Sequence, residues 1–276
     1  METSGVANDF IGAGLSYRAC YRDQLLASTS EISVLEIIPQ HFFADPGSID
    51  ELAERFTLVF HDTDLPTATL GSDKTFFDAR LQRLGELVDR AKPQYLSTHL
   101  ALTGSPLGVD LGHLAPLWFT EELLQHMSTR ISETQSRLQI PIALENLAGF
   151  SIPECEMSES EFLSALCAQT QCGVLLDLTN LLINARNSDL DPVSQMYDYP
   201  LGSVMQIHLA GGKKRQDHWI DSHSSSVDPD SFALLSALRE HASPRAIIVE
   251  RDQNFPEFSE LVAEASRAES IWRGST

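Results

Sequence analysis

The chain has 276 residues, of which 19 are Lys or Arg and 39 are Asp or Glu, giving a formal net charge of −20. With 42% hydrophobic and 21% charged residues, the composition is that of a folded globular protein and is too apolar for intrinsic disorder. Such an acidic surface repels phosphates, which argues against nonspecific nucleic-acid binding and against docking on anionic membranes.

Eight short apolar segments recur along the chain, each followed by a polar loop. They are rich in Val, Ile and Leu, and their apolar residues are nearly continuous rather than alternating. This pattern is typical of parallel strands that are buried on both faces. In chain order, the segments are 10–18, 34–40, 57–65, 95–103, 140–149, 173–181, 204–212 and 246–254.

Helical patterns lie between these segments. The first has apolar side chains at spacings of three and four and ends before Pro93, and the third begins with Ser158 followed three positions later by Glu161, the spacing of a capping box. The predicted helices are 73–92, 120–138, 158–170, 230–242 and 256–271.

Eight strand–helix units with none left over predict an α/β fold, a single closed (β/α)8 TIM barrel. We expect residues 1–276 to form one catalytic domain, with the active site at the C-terminal ends of the strands. The alternative is an open, doubly wound sheet. However, no Gly-rich phosphate turn follows the first strand, since Gly12-Ala13-Gly14 lacks the third glycine of that motif.

The sequence also predicts a cytoplasmic protein. Its first residues contain no basic region followed by an apolar one, and no apolar segment approaches the ~18 residues of a membrane span. The cysteines are irregularly spaced without a C-x-x-C pair, which is typical of buried or free thiols in a reducing compartment. They are Cys20, Cys155, Cys167 and Cys172.

Imidazole and carboxylate side chains follow nearly every predicted strand. A single histidine there is more often a hydrogen-bonded structural residue, and a single carboxylate often caps the next helix. The full set is Glu36, His61, Asp62, His99, Glu145 beside Asn146, Asp177 with Asn180, His208, Asp221, His223, Glu250 and Asp252.

Carboxylates that converge on one barrel mouth repel each other, and their pKa values rise unless cations neutralise them. Three strand-end histidines with several carboxylates exceed the needs of one ion, so the pattern predicts a multinuclear metal site. Because no cysteine belongs to the set, its nitrogen and oxygen ligands suit Fe, Mn or Zn better than Cu(I).

A basic cluster, Lys213-Lys214-Arg215, follows the seventh strand and stands out in so acidic a chain. Two interpretations remain open. The cluster contacts an anionic substrate or peptide, or it is a solvated loop.

Longer motifs run through nearly the whole chain. They are GAGLSYR, STHLALT, FTEELLQHMSTRI, ALENLAGF, MSESEFLSAL, CGVLLDLTNLLINARN, IHLAGG, IDSHS and VERDQNFP. In order and spacing, the chain resembles the multinuclear non-heme iron-dependent oxidative enzymes, whose known members modify the precursor peptides of methanobactin and of 3-thiaglutamate.

The resemblance implies a set of metal ligands: His61, His99, Glu145, Asp177, Asn180, His208, Asp221, His223 and Glu250. Asn146 and Asp252, beside these ligands, are the candidate catalytic residues that position and tune the metals. Three local departures from the family pattern indicate a different substrate subgroup or iron count. Thr98-His99 replaces Glu-His, Pro39-Gln40-His41 replaces P-E-N, and His61-Asp62 replaces His-Gly.

The function implied by the resemblance is O2-dependent oxidation of cysteine in a ribosomally synthesised precursor peptide. Two or three irons, mixed Fe(II)/Fe(III), are the expected cofactor, with O2 as co-substrate. Excision of the β-carbon of a C-terminal cysteine is slightly favoured over oxazolone–thioamide formation. A separate partner that binds the leader peptide is expected to form a heterodimer with this chain.

Three other functions remain as alternatives. A trinuclear zinc phosphodiesterase of the endonuclease IV type uses a similar barrel but should present a basic DNA-binding face. A sugar isomerase with one or two divalent ions would act on a free sugar without O2. A non-enzymatic metal-binding scaffold would form its complex without consuming O2.

Overall fold

The computed structural model describes residues 10–28, 32–71, 74–105, 109–149 and 155–275. Its elements, in chain order, are β1 (Gly12–Ser16), α1 (Arg22–Ala27), β2 (Val34–Ile37), α2 (Asp50–Arg55), β3 (Thr57–Asp62), α3 (Lys74–Ala91), β4 (Leu96–His99), β5 (Leu102–Gly104), β6 (Asp110–Ala115), α4 (Glu121–Leu138), β7 (Ile142–Glu145), α5 (Glu159–Thr170), β8 (Gly173–Asp177), α6 (Leu178–Ser188), α7 (Pro192–Tyr197), β9 (Val204–Leu209), β10 (Lys213–Arg215), β11 (His218–Ile220), α8 (Pro229–Leu238), β12 (Ala246–Val249) and α9 (Phe258–Arg273).

Eight parallel strands close into a barrel in the order β1-β12-β9-β8-β7-β4-β3-β2. Strands β2, β7, β8 and β12 are buried along their whole length, as their continuous apolar sequences predicted. The (β/α)8 fold is therefore confirmed.

The helix ends follow from local capping. Thr120 Oγ1 accepts the Leu123 N–H at the start of α4, and Ser158 with Glu161 forms the predicted capping box of α5. Helix α8 ends at Leu238, four residues earlier than the predicted helix.

Two antiparallel hairpins among the described residues, absent from the predicted elements, follow barrel strands. Hairpin β5–β6 comes after β4, and hairpin β10–β11 comes after β9. The segment 95–103 was expected to be one strand, but β4 ends at His99 and β5 begins at Leu102. Similarly, the segment 173–181 is a strand only to Asp177, whose carboxylate caps α6 and turns the chain into that helix.

The inside of the barrel changes from apolar to polar along the strands. Alternate residues of a strand point to the same side, so Val34 and Glu36 on β2 share the interior face. Val34, Val59, Tyr95, Ala246 and Ile248 form a buried apolar cluster. Two residues beyond Val34, Val59 and Ile248, at the C-terminal ends of β2, β3 and β12, come Glu36, His61 and Glu250.

Candidate metal centre

The register of the barrel brings the predicted strand-end residues to one level. His99 on β4 pairs with Glu145 on β7, and Asp177 on β8 pairs with His208 on β9. Glu145, Asp177 and His208 are each at most 3% exposed. Charged groups this deeply buried need a neutralising partner.

His61, His99 and Glu145 form a group that we call the imidazole-rich end. The two Nε2 atoms are 3.3 Å apart, and they lie 3.5 Å and 3.4 Å from Glu145 Oε2. Ligands placed about 2.1 Å from a tetrahedrally coordinated ion are about 3.4 Å from each other. The spacing of these three atoms therefore fits one shared ion.

Ser97 fixes the tautomer of His61. The Ser97 hydroxyl donates to Phe60 O at 3.1 Å and lies 3.0 Å from His61 Nδ1. Since its single proton is already used, Ser97 Oγ accepts from Nδ1–H. His61 Nε2 is then left with a free lone pair facing His99 and Glu145.

Glu36, His208, His223 and Glu250 form a second group that we call the carboxylate-rich end. His208 Nε2 is 2.8 Å from Glu36 Oε2, while His208 Nδ1 is 3.0 Å from Glu250 Oε2 and 3.5 Å from Glu145 Oε1. Glu36 and the Gln206 amide, whose Nε2 is 2.7 Å from His208 Nε2, both occupy the Nε2 side of the ring, so Nδ1 is the ligand atom of His208. Glu36 was noted at its strand end but was absent from the predicted ligand set.

His223 lies on the loop after β11. Its Nε2 is 2.7 Å from Asp221 Oδ1, and its Nδ1 is 3.1 Å from Asp252 Oδ2 and 3.5 Å from Glu250 Oε2. The other carboxylate oxygen of Asp252 accepts from the Arg18 guanidinium, which also donates to Ser16 Oγ. Arg18 belongs to the motif GAGLSYR but is not among the predicted site residues.

Asp177, Asn180 and Asn146 link β7, β8 and α6. Asp177 Oδ1 accepts from the backbone N–H groups of Thr179 and Asn180 at 2.6 Å and 2.8 Å. The Asn146 amide binds the backbone of Asp177 on both sides, accepting from its N–H at 2.8 Å and donating to its carbonyl at 3.0 Å. The geometry thus gives Asn146 a positioning contact rather than direct contact with the cluster.

Among the described residues, three of the predicted ligands have a buried oxygen without a hydrogen-bond donor: Glu145 Oε2, Asp177 Oδ2 and Asn180 Oδ1. Buried acceptors are rarely left unpaired, because each costs the full desolvation of the group. A cation supplies the missing partner, and carboxylate, amide and imidazole donors suit iron, manganese and zinc. The residues present therefore fit the predicted metal site.

In the part of the chain that the structure describes, four sets of three His, Asp or Glu side chains have ligand atoms within 4.8 Å of one another. They are His61, His99 and Glu145; Glu36, His208 and Glu250; Glu145, Asp177 and His208; and Asp177, His223 and Glu250. Seven of the nine predicted ligands are in these sets. Of the other two, Asp221 contacts His223, and Asn180 donates to the Asn146 carbonyl while its Oδ1 is one of the unpaired oxygens.

Histidine pKa values shift in opposite directions at the two ends. Burial, aided by the neighbouring His99, lowers the pKa of His61, and burial likewise lowers that of His99. Burial also opposes protonation of His208 and His223, but adjacent carboxylates, Glu250 foremost, outweigh it and raise both pKa values well above 6.5. Burial and the Glu145 carboxylate raise the pKa of Asp177 well above its usual range.

A solvent-accessible cavity of about 430 Å³ opens onto the cluster. Its lining includes side chains of both ends, Arg18, and His113 and Leu114 from β6. This volume is within the range of small-molecule sites, and the cavity is large enough for a short stretch of peptide.

Asp62 does not reach the cluster. It is fully buried, and Arg80 binds both of its oxygens, at 3.0 Å and 2.6 Å. Gln40 Nε2 also donates to Asp62 Oδ1 at 3.1 Å and to Thr63 Oγ1 at 2.8 Å. Two of the positions that depart from the family pattern, 40 and 62, are therefore in direct contact and hold the loop at the edge of the cavity.

A (β/α)8 barrel with imidazole and carboxylate side chains clustered at its mouth, spaced as metal ligands would be, defines the class of this protein. More specifically, residues 12–273 match the family model described as RiPP precursor modification enzyme MbnB/TglH/ChrH. RiPPs are ribosomally synthesised and post-translationally modified peptides. The chain belongs to this family and is an enzyme that modifies a precursor peptide.

Curated relatives match nearly the whole chain, and solved structures share its fold. A UPF0276 protein of Caulobacter vibrioides is 32% identical over 269 residues, which cover 95% of each chain. An L-ribulose 3-epimerase structure superposes with a TM-score of 0.63 at 13% identity, covering 97% of each chain. Endonuclease IV from Thermus thermophilus gives a TM-score of 0.53 at 15% identity, covering 96% of this chain and 99% of its own.

Among the helices of the described residues, none is both long and apolar enough to cross a membrane.

Proposed function

We propose that this enzyme holds two or three irons at its barrel mouth and uses O2 to oxidise a cysteine of a ribosomally synthesised precursor peptide. The observation that carries the proposal is the pair of adjoining ligand groups that share Glu145, within a family of precursor-peptide enzymes. A site that needed one metal would not require both groups.

His61, His99 and Glu145 would hold one ion, since their donor atoms lie 3.3–3.5 Å apart. The remaining proposed ligands belong to the other ion or ions: Asp177, Asn180, His208, Asp221, His223 and Glu250. Carboxylate-rich sites favour harder cations, so the carboxylate-rich end suits ferric iron and the imidazole-rich end suits ferrous iron. This asymmetry supports a mixed Fe(II)/Fe(III) cofactor.

Bound iron would supply the redox chemistry with O2 and a site for the cysteine thiolate. The side chains of this enzyme position the ligands. Ser97 keeps His61 Nε2 free, Glu36 keeps His208 Nδ1 free, and Asp252 orients His223 through its contact with Nδ1. Asn146 holds the Asp177 backbone and thereby the carboxylate that points into the cluster.

The proposal extends to the substrate and the partner. We favour excision of the β-carbon of a C-terminal cysteine over oxazolone–thioamide formation, and a heterodimer with a separate leader-binding protein. The reaction would take place in the cytoplasm, where the four free thiols of this chain remain reduced.

The first test is metal analysis of protein expressed with iron supplementation, followed by Mössbauer spectroscopy. We expect two to three irons per chain with coupled ferric and ferrous signals. Stoichiometric zinc that iron does not displace would overturn the iron assignment and favour a phosphodiester or sugar substrate.

The second test is O2-dependent mass change of cysteine-containing peptides encoded near the gene. A mass change in air that is absent under argon supports the oxidase. The contrary result is iron-loaded protein that binds its partner protein normally but consumes no O2 with any such peptide. That result would overturn the oxidase and favour a non-enzymatic metal-binding scaffold.

A further inference from the structure

The hairpin formed by β10 and β11, with its turn at Gln216 and Asp217, connects two parts of the metal centre. It starts four residues after the end of β9, the strand that carries His208, and Asp221 follows its last residue directly. Whatever binds this hairpin is therefore tied by a few residues of backbone to His208, Asp221 and His223.

One edge of the hairpin is already held in place. The Asn187 amide on α6 accepts from the Trp219 N–H and donates to the Trp219 carbonyl, both at 2.8 Å. The Arg186 guanidinium lies over the Trp219 ring at 4.3 Å. Strand β11 is thus the anchored strand.

The opposite edge is open. Lys214 lies opposite Trp219 in the antiparallel pair. Because the N–H and carbonyl of Trp219 point away from the hairpin toward Asn187, those of Lys214 point away from the hairpin at its other edge. Within the described ranges, no backbone or side-chain group outside the hairpin binds them, and β10–β11 is a two-stranded sheet. An extended peptide can pair with Lys214 as the Asn187 amide pairs with Trp219.

The charge of this edge is opposite to that of the molecule. Lys213, Lys214 and Arg215 are all exposed, and none forms an ion pair with any described residue. The hairpin contains one acid, Asp217, while the chain as a whole has a net charge of −20. By contrast, the lining of the nearby cavity is acidic and includes Asp64, Asp221 and Asp252.

We infer that the edge of β10 docks an acidic, extended segment of the peptide substrate beside the metal centre. The inference rests on the proposed function and adds a recognition site to it. Carboxylates on the peptide would meet the three basic side chains, and elsewhere the acidic surface would repel them. A lysine-rich edge also discourages pairing with other strands, and the test must separate these two roles.

The probe is a fluorescein-labelled octapeptide of alternating Glu and Val, with an isosteric Gln–Val octapeptide as its control. Binding to the whole chain is followed by fluorescence anisotropy at low salt, where exposed charge pairs are least screened. We expect tighter binding of the Glu peptide, which 0.5 M salt abolishes. Equal binding of the two peptides would overturn the inference.

Matched variants locate the site. The triple variant Lys213→Gln, Lys214→Gln and Arg215→Gln should bind the Glu peptide about tenfold more weakly, the scale of three exposed ion pairs. A control triple variant, Lys92→Gln, Arg239→Gln and Arg273→Gln, removes the same charge from exposed residues that end or follow helices at the opposite end of the barrel. Equal affinities of the two triple variants would place the docking site elsewhere.

A second pair of variants separates strand pairing from charge. Lys214→Gln removes one charge and keeps the outward N–H, whereas Lys214→Pro removes both and is tolerated at an edge. The proline variant should bind more weakly than the glutamine variant, and identical affinities would refute the pairing. Iron content, measured on the same samples, separates a failure of docking from a failure of the iron assignment.

Discussion

The two ends of the metal centre use the same residue type in opposite ways. At the imidazole-rich end, His61 and His99 share one carboxylate, and burial lowers both imidazole pKa values. At the carboxylate-rich end, His208 and His223 are also buried, but the acids around them outweigh burial and raise their pKa values.

The difference shows that the neighbours of a histidine, rather than its depth, decide its charge. Without metal, the carboxylate-rich end keeps protons on its histidines to balance Glu36 and Glu250. A cation bound at that end would also balance the charge of these carboxylates, so protons and metal compete there. At the imidazole-rich end, burial already disfavours protonation of His61 and His99, so protons compete little with a metal there.

Glu145 joins the two ends, and its removal should have the largest effect. Its Oε2 faces His61 and His99, and its Oε1 lies 3.5 Å from His208 Nδ1. Because both ends lose a ligand in Glu145→Ala, we expect iron content to fall at both and peptide turnover to drop by more than about 100-fold, above the range for outer-shell residues. Metal analysis and a turnover assay measure this, with the exposed Glu240→Gln as the control.

A Glu145→Ala variant that retains full iron content would show that the two ends are independent and that Glu145 is not shared.

Glu36→Gln should act on one end only. The substitution preserves the shape of the side chain but removes the charge beside His208 Nε2. We expect iron affinity at the carboxylate-rich end to fall 10–100-fold, the usual effect of losing a carboxylate behind a histidine ligand. Chelator competition followed by Mössbauer spectroscopy reports which iron is lost first.

Loss of ferrous and ferric signals in equal proportion after Glu36→Gln would contradict the separation of the two ends.

The raised pKa values of His208 and His223 predict the pH dependence of the metal-free protein. A histidine whose folded pKa lies above its unfolded value of about 6.5 contributes stability below pH 6.5, and this contribution is lost as the pH rises through the folded pKa. The Tm of chelator-treated protein should therefore fall as the pH is raised from about 6.5 to 9. Thermal unfolding across this range measures the change.

The control for this effect is metal-free His223→Asn, which has one such group fewer and should show a shallower decrease in Tm. An equally steep decrease in the variant would assign the pH dependence to other groups.

The sequence was sufficient to predict the barrel, because strands buried on both faces are continuously apolar and therefore easy to recognise. It overextended the strand at 173–181 because Asp177 both ends β8 and caps α6, and an apolar helix then follows without a break. The hairpins were missed because three-residue strands such as β10 are too short to show a period of two.

The candidate ligands could be recognised as strand-end residues, whereas their supporting groups could not. Glu36 and His208 are 172 residues apart and meet only because β2 and β9 face each other across the closed barrel. Arg18 and Asp252 similarly come together from the first and last strands. Such contacts depend on barrel closure and register, which no local pattern contains.

Ser97→Ala should lower metal affinity the least of these variants, and it tests the imidazole-rich end most directly. The alanine removes the acceptor of His61 Nδ1–H, so the tautomer of His61 is no longer fixed. The lost hydrogen bond, about 0.5–1.5 kcal/mol, corresponds to a 2- to 13-fold lower metal affinity at that end. Ser97→Thr retains the hydroxyl and should restore the affinity, which a packing effect alone would not explain.

If the two ends are distinct, the Ser97→Ala protein loses metal from the imidazole-rich end, while the Tm of its metal-free form keeps the pH dependence set by His208 and His223. A change in that pH dependence would instead mean that the tautomer of His61 is coupled across Glu145 to the histidines of the carboxylate-rich end.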